Sequence, residues 1–461
     1  MELNVTLRPQ KKKTKPSKAV LDLLKSRAKG YEKDKDFAQA AEMWKLLSEH
    51  RPSYAYGWSR LGHNLYLAGA FDDARPALER AVKLNPDARM AHLMLSALLF
   101  RHGEEQAGRS VITDFYQRVP LKAGKGVDGK TPSLLRVDGV TGVRPLTGPV
   151  PKTPYVRRRG GHFQTKHLFK DEVIPRHYLT MASSQAPNVA IPQDVGLILN
   201  TIADPDIEDE ALLGLEHFLE GYNGPIINRP AAVRATTRDE NHFRFKDAED
   251  IEFPGTLRLH KDKQSAQELD KQIHKNGIQY PYIFRIAGLH KGQGLVLVRT
   301  LSDLDQFLAR YPAPADIYAI QFIDVRHLDG YFHKYRMFSI DGALYPVVCH
   351  IDTEWMVHGR NRMTLMKHHP WMMHHEEAFM NDPRAHLGPS VMGKVEALAK
   401  QIDLEFFGFD FAIHEDGRVL IYELNPAMRH KYDYADTFPY MRPGLERITQ
   451  AFTDMVHKHL T

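Results

Sequence analysis

Three prolines recur at a fixed spacing near the start of the chain. Pro52, Pro86 and Pro120 lie 34 residues apart. A small residue stands at the same distance before each proline: Ala40, Ala74 and Gly108. This period predicts a helix–turn–helix unit, in which small residues let the two helices approach and the proline ends the second helix. Because one helix pair cannot bury its apolar face alone, about three such units must stack over residues 21–121.

The middle unit of this repeat is the most regular. It reads WSRLGHNLYLAGAFDDARPALERAVKLNP, with Trp58, Leu61 and Gly62 in its first helix and Ala81 in its second. The unit resembles the tetratricopeptide repeat, and the outer two units are degenerate, as capping repeats tend to be. A stack of such repeats leaves a concave surface. The sequence leaves two uses open for it: packing or homodimer formation, or docking of a peptide or protein partner.

Composition marks the limits of this helical region. Residues 1–20 predict a basic flexible tail, and residues 122–160, rich in Gly, Pro and Lys, predict a linker. Neither stretch interleaves aromatic residues, so solubility and spacing are favoured over nucleic-acid binding. With 461 residues, 43% of them hydrophobic, the chain is expected to form two or three globular domains.

The compartment is predicted from apolar runs and cysteine usage. No apolar run reaches the length of a membrane-spanning helix, and residues 1–18 lack the apolar core of a signal peptide. The single cysteine, Cys349, rules out an internal disulfide framework. We therefore expect a cytoplasmic protein without membrane contact, in which Cys349 is a small core residue.

After residue 160, strands alternate with helices. VGLILN (195–200) predicts a buried strand, EDEALLGLEHFLEGY (208–222) an amphipathic helix and PIINRP (225–230) a second strand. This β-α-β order indicates a parallel, doubly wound sheet. Three polar side chains would then lie at the edge where open α/β sheets bind ligands: Asn200, Asp204 and Asp206.

The stretch FFGFDFAIHEDGRVLIYELNP (406–426) places polar residues inside apolar strands. Asp-Gly between two apolar runs is a strong hairpin signal, and a two-residue loop at this dipeptide sets Asp410 directly opposite Glu423. Since side chains alternate along a strand, Asn425 lies on the same face as Glu423. Like charges directly opposite each other destabilise a sheet, so the two carboxylates are expected to share a proton or a cation.

Two carboxylates and an amide oxygen form an all-oxygen set suited to Mg²⁺, which completes its shell with water and substrate phosphates. The alternative is a surface hairpin whose polar face meets water. That alternative predicts lysine and threonine among the polar residues, whereas this set is anionic apart from one amide. Metal binding is therefore favoured.

Residues suited to phosphate precede these acids. The stretch AGLHKGQG (287–294), which we call the flap, follows an apolar strand, and its backbone N–H groups can close over phosphate oxygens. A second predicted hairpin, YFHKYRMFSI–DG–ALYPVVCH, places Lys334 and Arg336 on one face. Buried cations are costly without anions. A nucleotide with Mg²⁺ would satisfy the flap, the cations and the acids together.

These motifs, with the strand QFID (321–324), resemble an ATP-grasp ligase of the glutathione synthetase-like group. The resemblance implies a multidomain chain with an all-α tetratricopeptide solenoid at residues 21–121. An α/β pre-ATP-grasp domain of Rossmann-like fold would follow at residues 161–240, and an α+β ATP-grasp domain at residues 241–461. It also implies binding of ATP with two Mg²⁺ ions.

The resemblance assigns roles by position. The matching metal ligands are Asp410, Glu423 and Asn425. The matching catalytic residues are Arg336, Lys334 and Lys291. The matching nucleotide-binding residues are Arg285, His290, Lys291, Gly292, Gly294, Gln321, Phe322, Ile323, Asp324 and Lys334. The segment from Gln321 to Ile323 matches the hinge against adenine, and Asp324 a ribose contact. Arg285 departs from the family pattern, which usually has a lysine there; arginine keeps the charge but presents a planar fork.

The implied reaction joins a carboxylate to an amine of an amino acid or peptide. Attack of the carboxylate on the γ-phosphate gives an acyl phosphate and ADP, and the amine then displaces phosphate, while cations offset the charge of the transferring group. Two alternatives stay open: a kinase-type phosphotransferase that stops at phosphoryl transfer, and a catalytically inactive tetratricopeptide scaffold.

A histidine cluster is the remaining candidate site. The stretch KHHPWMMHHEE (367–377) contains His368, His369, His374 and His375, and His358 precedes it. Adjacent histidines point apart on a strand or helix, so at most two or three could converge, and no cysteine accompanies them. We interpret the stretch as a polar loop near the acceptor pocket rather than as a zinc site.

Overall fold

The computed structural model describes residues 17–124, 126–142, 161–170, 174–289, 292–359 and 361–460. These residues form two compact units, the first ending at residue 119 and the second comprising residues 120–142 and 161–460. No helix within these described ranges is long and apolar enough to cross a lipid bilayer.

The first unit contains six described helices: α1 (Lys18–Lys33), α2 (Phe37–His50), α3 (Ala55–Leu67), α4 (Phe71–Leu84), α5 (Arg89–Arg101) and α6 (Glu105–Arg118). Consecutive helices pack against each other. Small residues permit the close approach: a Cβ on Gly62 would lie 2.5 Å from Leu78 Cγ, and Ala40 and Ala74 are fully buried. The prediction of three stacked helical hairpins is confirmed.

The second unit begins with a five-stranded sheet in the order β1-β3-β2-β4-β5. Its strands are β1 (Leu121–Ala123), β2 (Ser133–Gly139), β3 (Arg176–Met181), β4 (Val195–Asn200) and β5 (Ile226–Ile227). β2 to β5 are parallel, and β1 runs antiparallel to β3. Helix α7 (Pro205–Phe218) connects β4 to β5. The predicted β-α-β unit is therefore present.

Strand β2 contradicts the interpretation of residues 122–160 as a linker. It lies in the middle of the sheet, and Leu134, Leu135 and Val137 are almost completely buried. The strand was not predicted because its seven residues lie between stretches rich in Gly, Pro and Lys, which dominate the composition of residues 122–160. In the structure the helical unit gives way to the second unit at residue 120.

Helices α8 (Pro230–Arg234) and α9 (Arg238–Phe245) and the short strand β6 (Ile251–Glu252) precede an antiparallel sheet in the order β7-β10-β8-β9. Its strands are β7 (Thr256–Lys261), β8 (Tyr282–Ile286), β9 (Leu295–Val298) and β10 (Ala315–Gln321). Helices α10 (Ala266–Lys275) and α11 (Leu301–Arg310) contribute Leu269 and Phe307 to a core with Phe284 of β8. This core supports the strand that leads into the flap.

The third sheet has the order β12-β11-β13-β14-β6. Its longer strands are β11 (Phe332–Ile340), β12 (Ala343–Asp352), β13 (Phe406–Ile413) and β14 (Val419–Asn425). Five helices complete the unit: α12 (Asn361–Thr364), α13 (Pro370–Asn381), α14 (Pro383–Leu387), α15 (Pro389–Ala399) and α16 (Met441–Leu460). Phe406, Phe407, Phe409 and Phe411 of β13 are fully buried. They fix β13, and with it Asp410, the polar residue that interrupts its apolar run.

A buried histidine links the stability of this unit to pH. His430 is 3% exposed, and its Nε2 lies 3.0 Å from Thr449 Oγ1. Burial lowers the pKa of His430 from 6.5 to about 4. The folded state therefore favours the neutral imidazole, whereas the unfolded chain takes up a proton already near pH 6.5.

We expect the contribution of His430 to stability to be complete above about pH 6.5 and to be lost as the pH falls towards 4. From the pKa difference, the loss amounts to about 3 kcal/mol. Urea unfolding of the wild type and of His430→Gln, measured across this window, should show a shallower dependence on pH in the variant. Equal dependence in both proteins would contradict this expectation.

Candidate active site

Hairpin β13-β14 brings the three predicted metal ligands onto one short stretch of sheet. Asp410 pairs with Glu423, and Gly408 pairs with Asn425, as predicted. A Cβ on Gly408 would lie 2.7 Å from the ring of Phe338, so a larger residue cannot stand there without movement of its neighbours. The glycine thus admits the Phe338 ring and the Met428 sulfur next to the strand, and the predicted open space beside Asn425 is filled by these side chains.

The tip of this hairpin differs from the prediction. Gly417, with a φ of 81°, donates its N–H to the carbonyl of His414. Ile413 pairs with Val419, whereas a two-residue loop would pair it with Leu420. The loop is therefore longer than two residues. A register shift after Asp410 restores the predicted pairing around the acids.

Strand β11 lies on the other side of β13 and supplies two cations. Arg336 Nε and Nη2 donate to the two carboxylate oxygens of Asp410 at 2.6 and 2.8 Å. Lys334 Nζ lies 3.5 Å from Asp410 Oδ2 and donates to the carbonyl of Val357 at 2.9 Å. Burial raises the pKa of Asp410, but Arg336 and Lys334 lower it by more. The pKa of the carboxyl therefore lies well below its usual range, and the group is ionised.

The second acid has its own arginine, which the sequence did not point to. Arg238, the first residue of α9, places Nη2 2.7 Å from Glu423 Oε1. Asn425 Nδ2 donates to the same oxygen at 2.9 Å. The expected sharing of a proton or cation between Asp410 and Glu423 is therefore not needed, because a separate guanidinium accompanies each carboxylate.

The flap begins beside these groups. Arg285, near the end of β8, donates from Nη2 to the carbonyl of Leu289 at 2.6 Å. Burial, followed by the nearby cation Arg238, lowers the pKa of Arg285 to about 10. Gly292 and Gly294 have φ values of 71° and 59°, which favour glycine. The predicted nucleotide-binding residues His290 and Lys291 lie outside the described residues.

The predicted hinge follows β10. Gln321 Oε1 accepts the N–H of Gln279 at 2.9 Å, and its Nε2 donates to the carbonyl of Pro281 at 3.2 Å. This side chain therefore fixes residues 279–281, which lead into β8. Phe322 and Ile323 line a cavity together with Gln321. The structure does not bring Asp324 to this group: it is exposed and accepts the Arg326 N–H.

Two adjoining cavities contain most of these residues. The smaller has a volume of about 180 Å³ and an aromatic wall formed by Phe322, Phe332, Trp355 and Tyr422. The larger has a volume of about 550 Å³, and its polar lining includes Arg336, His350, Asn425, Arg429 and Lys431. The charged side chains that line both cavities are Arg285, Lys334, Asp410 and Glu423. Acids and cations thus meet where an apolar cavity joins a polar one.

The polar residues at and after the end of β4 make structural contacts with neighbouring elements. Asn200 is fully buried and donates to the carbonyl of Asn228 at 2.9 Å. Asp204 caps α7 by accepting the Asp206 N–H. The carboxylate of Asp206 forms an ion pair with Arg258. These contacts hold the elements around the first sheet together.

One family match lies in the first unit. Residues 55–88 match the family described as Tetratricopeptide repeat. This segment is the middle helical hairpin, α3 and α4, which the 34-residue period singles out. A TPR2B domain from yeast Sti1, solved in a complex titled with pHsp70, is 16% identical, with a TM-score of 0.21, and covers 22% of this chain and 78% of its own. No curated protein matches the sequence.

Solved structures that resemble the chain over a longer span are ATP-grasp proteins. A RimK domain ATP-grasp protein from Sphaerobacter thermophilus is 14% identical, with a TM-score of 0.37, over 61% of this chain and 90% of its own. D-alanyl-alanine synthetase A from Vibrio cholerae is 13% identical, with a TM-score of 0.41, over 72% and 98%. The predicted resemblance to ATP-grasp ligases is therefore found among solved structures.

Proposed function

We propose that the second unit is an ATP-dependent ligase that joins a carboxylate to an amine with the help of Mg²⁺. The observation that carries the proposal is the meeting of acids and cations at the junction of the two cavities. A polyphosphate with its metal suits such a junction, because the metal takes the carboxylates and the phosphate oxygens take the guanidinium and ammonium groups.

The smaller cavity is suited to the base of the nucleotide. Its wall is aromatic, and residues 321–323 border it, which agrees with the hinge role that the family resemblance implies. Because this cavity adjoins the charged residues, a base placed there would direct the phosphates towards Lys334 and Arg336. Arg285 and the flap, with His290 and Lys291, would then cover the phosphates.

The three polar residues fit Mg²⁺ by donor type. Each carboxylate is held by an arginine, and Asn425 Oδ1 accepts the Ala427 N–H at 2.9 Å. Carboxylate and amide oxygens have more than one lone pair, so these bonds leave acceptor capacity at Asp410, Glu423 and Asn425. Bound Mg²⁺ supplies positive charge to the phosphate oxygens. The family resemblance implies two ions.

The chain's own residues would act mainly by charge and position. Arg336 and Lys334 would offset the negative charge that spreads over the transferring phosphoryl group. The larger cavity would hold the carboxylate substrate, an amino acid or peptide, whose anion suits the lining residues Arg429 and Lys431. No nucleophilic side chain is required, because the substrate carboxylate itself attacks the γ-phosphate.

The decisive experiment mixes the full chain with MgATP and a pool of amino acids and peptides. ADP release together with a new amide, identified by mass spectrometry, would support ligation. ADP with a phosphorylated product and no amide would favour the kinase-type phosphotransferase. No binding of MgATP in a calorimetric titration would favour the catalytically inactive tetratricopeptide scaffold.

We also propose that the helical repeats dock a peptide or protein substrate, with homodimer formation as the other use of the same surface. Removal of residues 1–119 should leave the affinity for MgATP unchanged, since every residue proposed to contact the nucleotide or its metal lies in the second unit. Turnover of a macromolecular substrate should fall at least about tenfold in kcat/KM, mainly through weaker binding.

A free small-molecule substrate serves as the control, because the truncated protein should turn it over as the full chain does. Sedimentation of the full chain and of the truncated protein separates docking from dimer formation. If MgATP affinity and turnover collapse together, the repeats support the fold of the second unit and the docking proposal is wrong.

A further inference from the structure

The two faces of strand β11 carry different chemistry. Lys334 and Arg336 lie on the face towards the cavities, so the alternate residues His333 and Tyr335 lie on the opposite face. Tyr335 pairs with Cys349 on β12. Tyr335 and Cys349 are buried beside helix α13, and none of the three opposite-face residues is needed for the proposed ligase reaction.

Three imidazoles converge on this opposite face. His375 of α13 places Nε2 3.2 Å from His333 Nδ1 and 3.1 Å from Nε2 of His386, which belongs to α14. The Cys349 sulfur, His333 and His375 offer ligand atoms that all lie within 4.8 Å of one another. The interpretation of the histidine-rich stretch as a polar loop is therefore wrong, because residues from Pro370 form α13 and turn His375 inward.

The hydrogen bonds of the cluster leave lone pairs pointing at one another. Asp329 Oδ2 lies 2.8 Å from His333 Nε2, so that nitrogen carries the proton and Nδ1 of a neutral His333 has a lone pair. The His375 Nε2 atom is within hydrogen-bonding distance of His333, His386 and the Tyr335 hydroxyl. A single ring nitrogen cannot bond to all three. A bound cation would use these lone pairs.

The protein largely encloses the cluster. His333 is buried, and His375 and His386 are half-buried. Neutral imidazoles are the form that binds metal, and the Asp329–His333 pair is the usual arrangement behind a metal-bound histidine.

We propose that His333 Nδ1, His375 Nε2 and the Cys349 thiolate bind a transition-metal ion of the Zn²⁺ type, with the fourth position left to a water molecule. Tetrahedral Zn²⁺ places such nitrogen and sulfur atoms about 3.3–3.6 Å apart. The observed separation of 3.2 Å between His333 Nδ1 and His375 Nε2 is close to this spacing, and the Cys349 sulfur lies within 4.8 Å of both nitrogens. On binding, the Cys349 thiol releases its proton to solvent and sulfur donates its electron pair to the metal.

A buried ion pair holds the helix that supplies His375. The backbone N–H of Cys349 donates to Glu376 Oε1 at 3.0 Å, and Arg362 donates to both oxygens of Glu376 at 2.6 Å. Glu376 follows His375 directly, so these bonds fix α13 against β12 at the position of Cys349. The site is thus preorganised by contacts that do not themselves involve the metal.

The test uses the full chain, produced without a histidine tag, stripped with a chelator and refilled with Co²⁺ alone. We expect one ion per chain and a near-ultraviolet charge-transfer band from the thiolate to Co²⁺. Cys349→Ser should lose the band, and His375→Ala should lose tight binding. His374→Ala is the matched control, since His374 is the exposed neighbour on α13 and should keep both.

Elemental analysis of the wild type before stripping provides a second readout. Co-purifying zinc that is lost in Cys349→Ser and His375→Ala but retained in His374→Ala would support the site. If the refilled wild type shows no thiolate band, the proposal is overturned even where a variant fails to fold. Equal Co²⁺ binding by the wild type and Cys349→Ser would also overturn it. MgATP binding by the stripped protein is tested separately, so failure here leaves the ligase proposal standing.

Discussion

Replacing Glu423 by glutamine is expected to lower kcat by at least about 10²-fold at saturating MgATP. The amide keeps the size and shape of the side chain but removes a negative charge from the proposed metal site. The measurement is ADP release at saturating substrate and rising Mg²⁺ concentration. Wild-type turnover in this variant would refute the assignment of Glu423 as a metal ligand.

The same substitution also tests the structure apart from catalysis. Glu423 pairs with Arg238 at 2.7 Å, so the variant leaves that cation without its carboxylate, and we expect a loss of roughly 1–3 kcal/mol in the free energy of unfolding. If relief of the repulsion between Glu423 and Asp410 were the larger effect, the free energy of unfolding would rise instead. Glu415→Gln, at the exposed tip of the same hairpin, is the control and should change neither turnover nor stability.

The largest effect on stability is expected for Arg362→Met. Arg362 and Glu376 are fully buried and joined by two bonds of 2.6 Å. The substitution leaves the Glu376 carboxylate in the core without its cation, and among the described residues the Cys349 N–H and the Tyr440 hydroxyl remain as its hydrogen-bond donors. Breaking such a pair from one side costs about 3–5 kcal/mol. Urea unfolding at neutral pH measures the loss.

An exposed ion pair gives the matched control. Arg384 pairs with Glu396 at the surface, with 51% and 39% of the two side chains exposed. Arg384→Met should therefore cost no more than about 1 kcal/mol. A double variant, Arg362→Met with Glu376→Leu, should recover part of the loss because it removes both buried charges. Equal losses in Arg362→Met and Arg384→Met would show that burial of the first pair has no special cost.

Local rules predicted the parts of the site that lie on single hairpins. Alternation along β11 places Lys334 and Arg336 on one face, and the Asp-Gly signal sets Asp410 opposite Glu423, because both depend only on neighbours in sequence. The exact turn was not predictable in the same way. The same Asp-Gly sequence is compatible with a two-residue loop and with a longer loop that ends in glycine and is compensated by a bulge.

Contacts between distant segments escaped prediction. Arg238 meets Glu423 only because α9 packs beside β14, a relation that no spacing encodes. The histidine cluster is similar: His333, Cys349, His375 and His386 come from two strands and two helices. Apart from His375, which stands in the histidine-rich stretch, each looks like an isolated core or surface residue in the sequence. Strand β2 was not predicted for another reason. Its short apolar run lies within a longer stretch whose overall composition is that of a linker.

The bulge after Asp410 separates the tip of hairpin β13-β14 from its base. Around the acids, β13 is paired on both sides, with Arg336 of β11 opposite Asp410 on one side and Glu423 on the other. The loop at residues 414–418 is therefore not the sole determinant of that alignment, because the ladders on both sides of β13 also hold it. Extra residues introduced after Glu415, such as a peptide tag or a dye attachment site, should leave the acids in place. The hairpin tip thus offers a handle for labelling the protein.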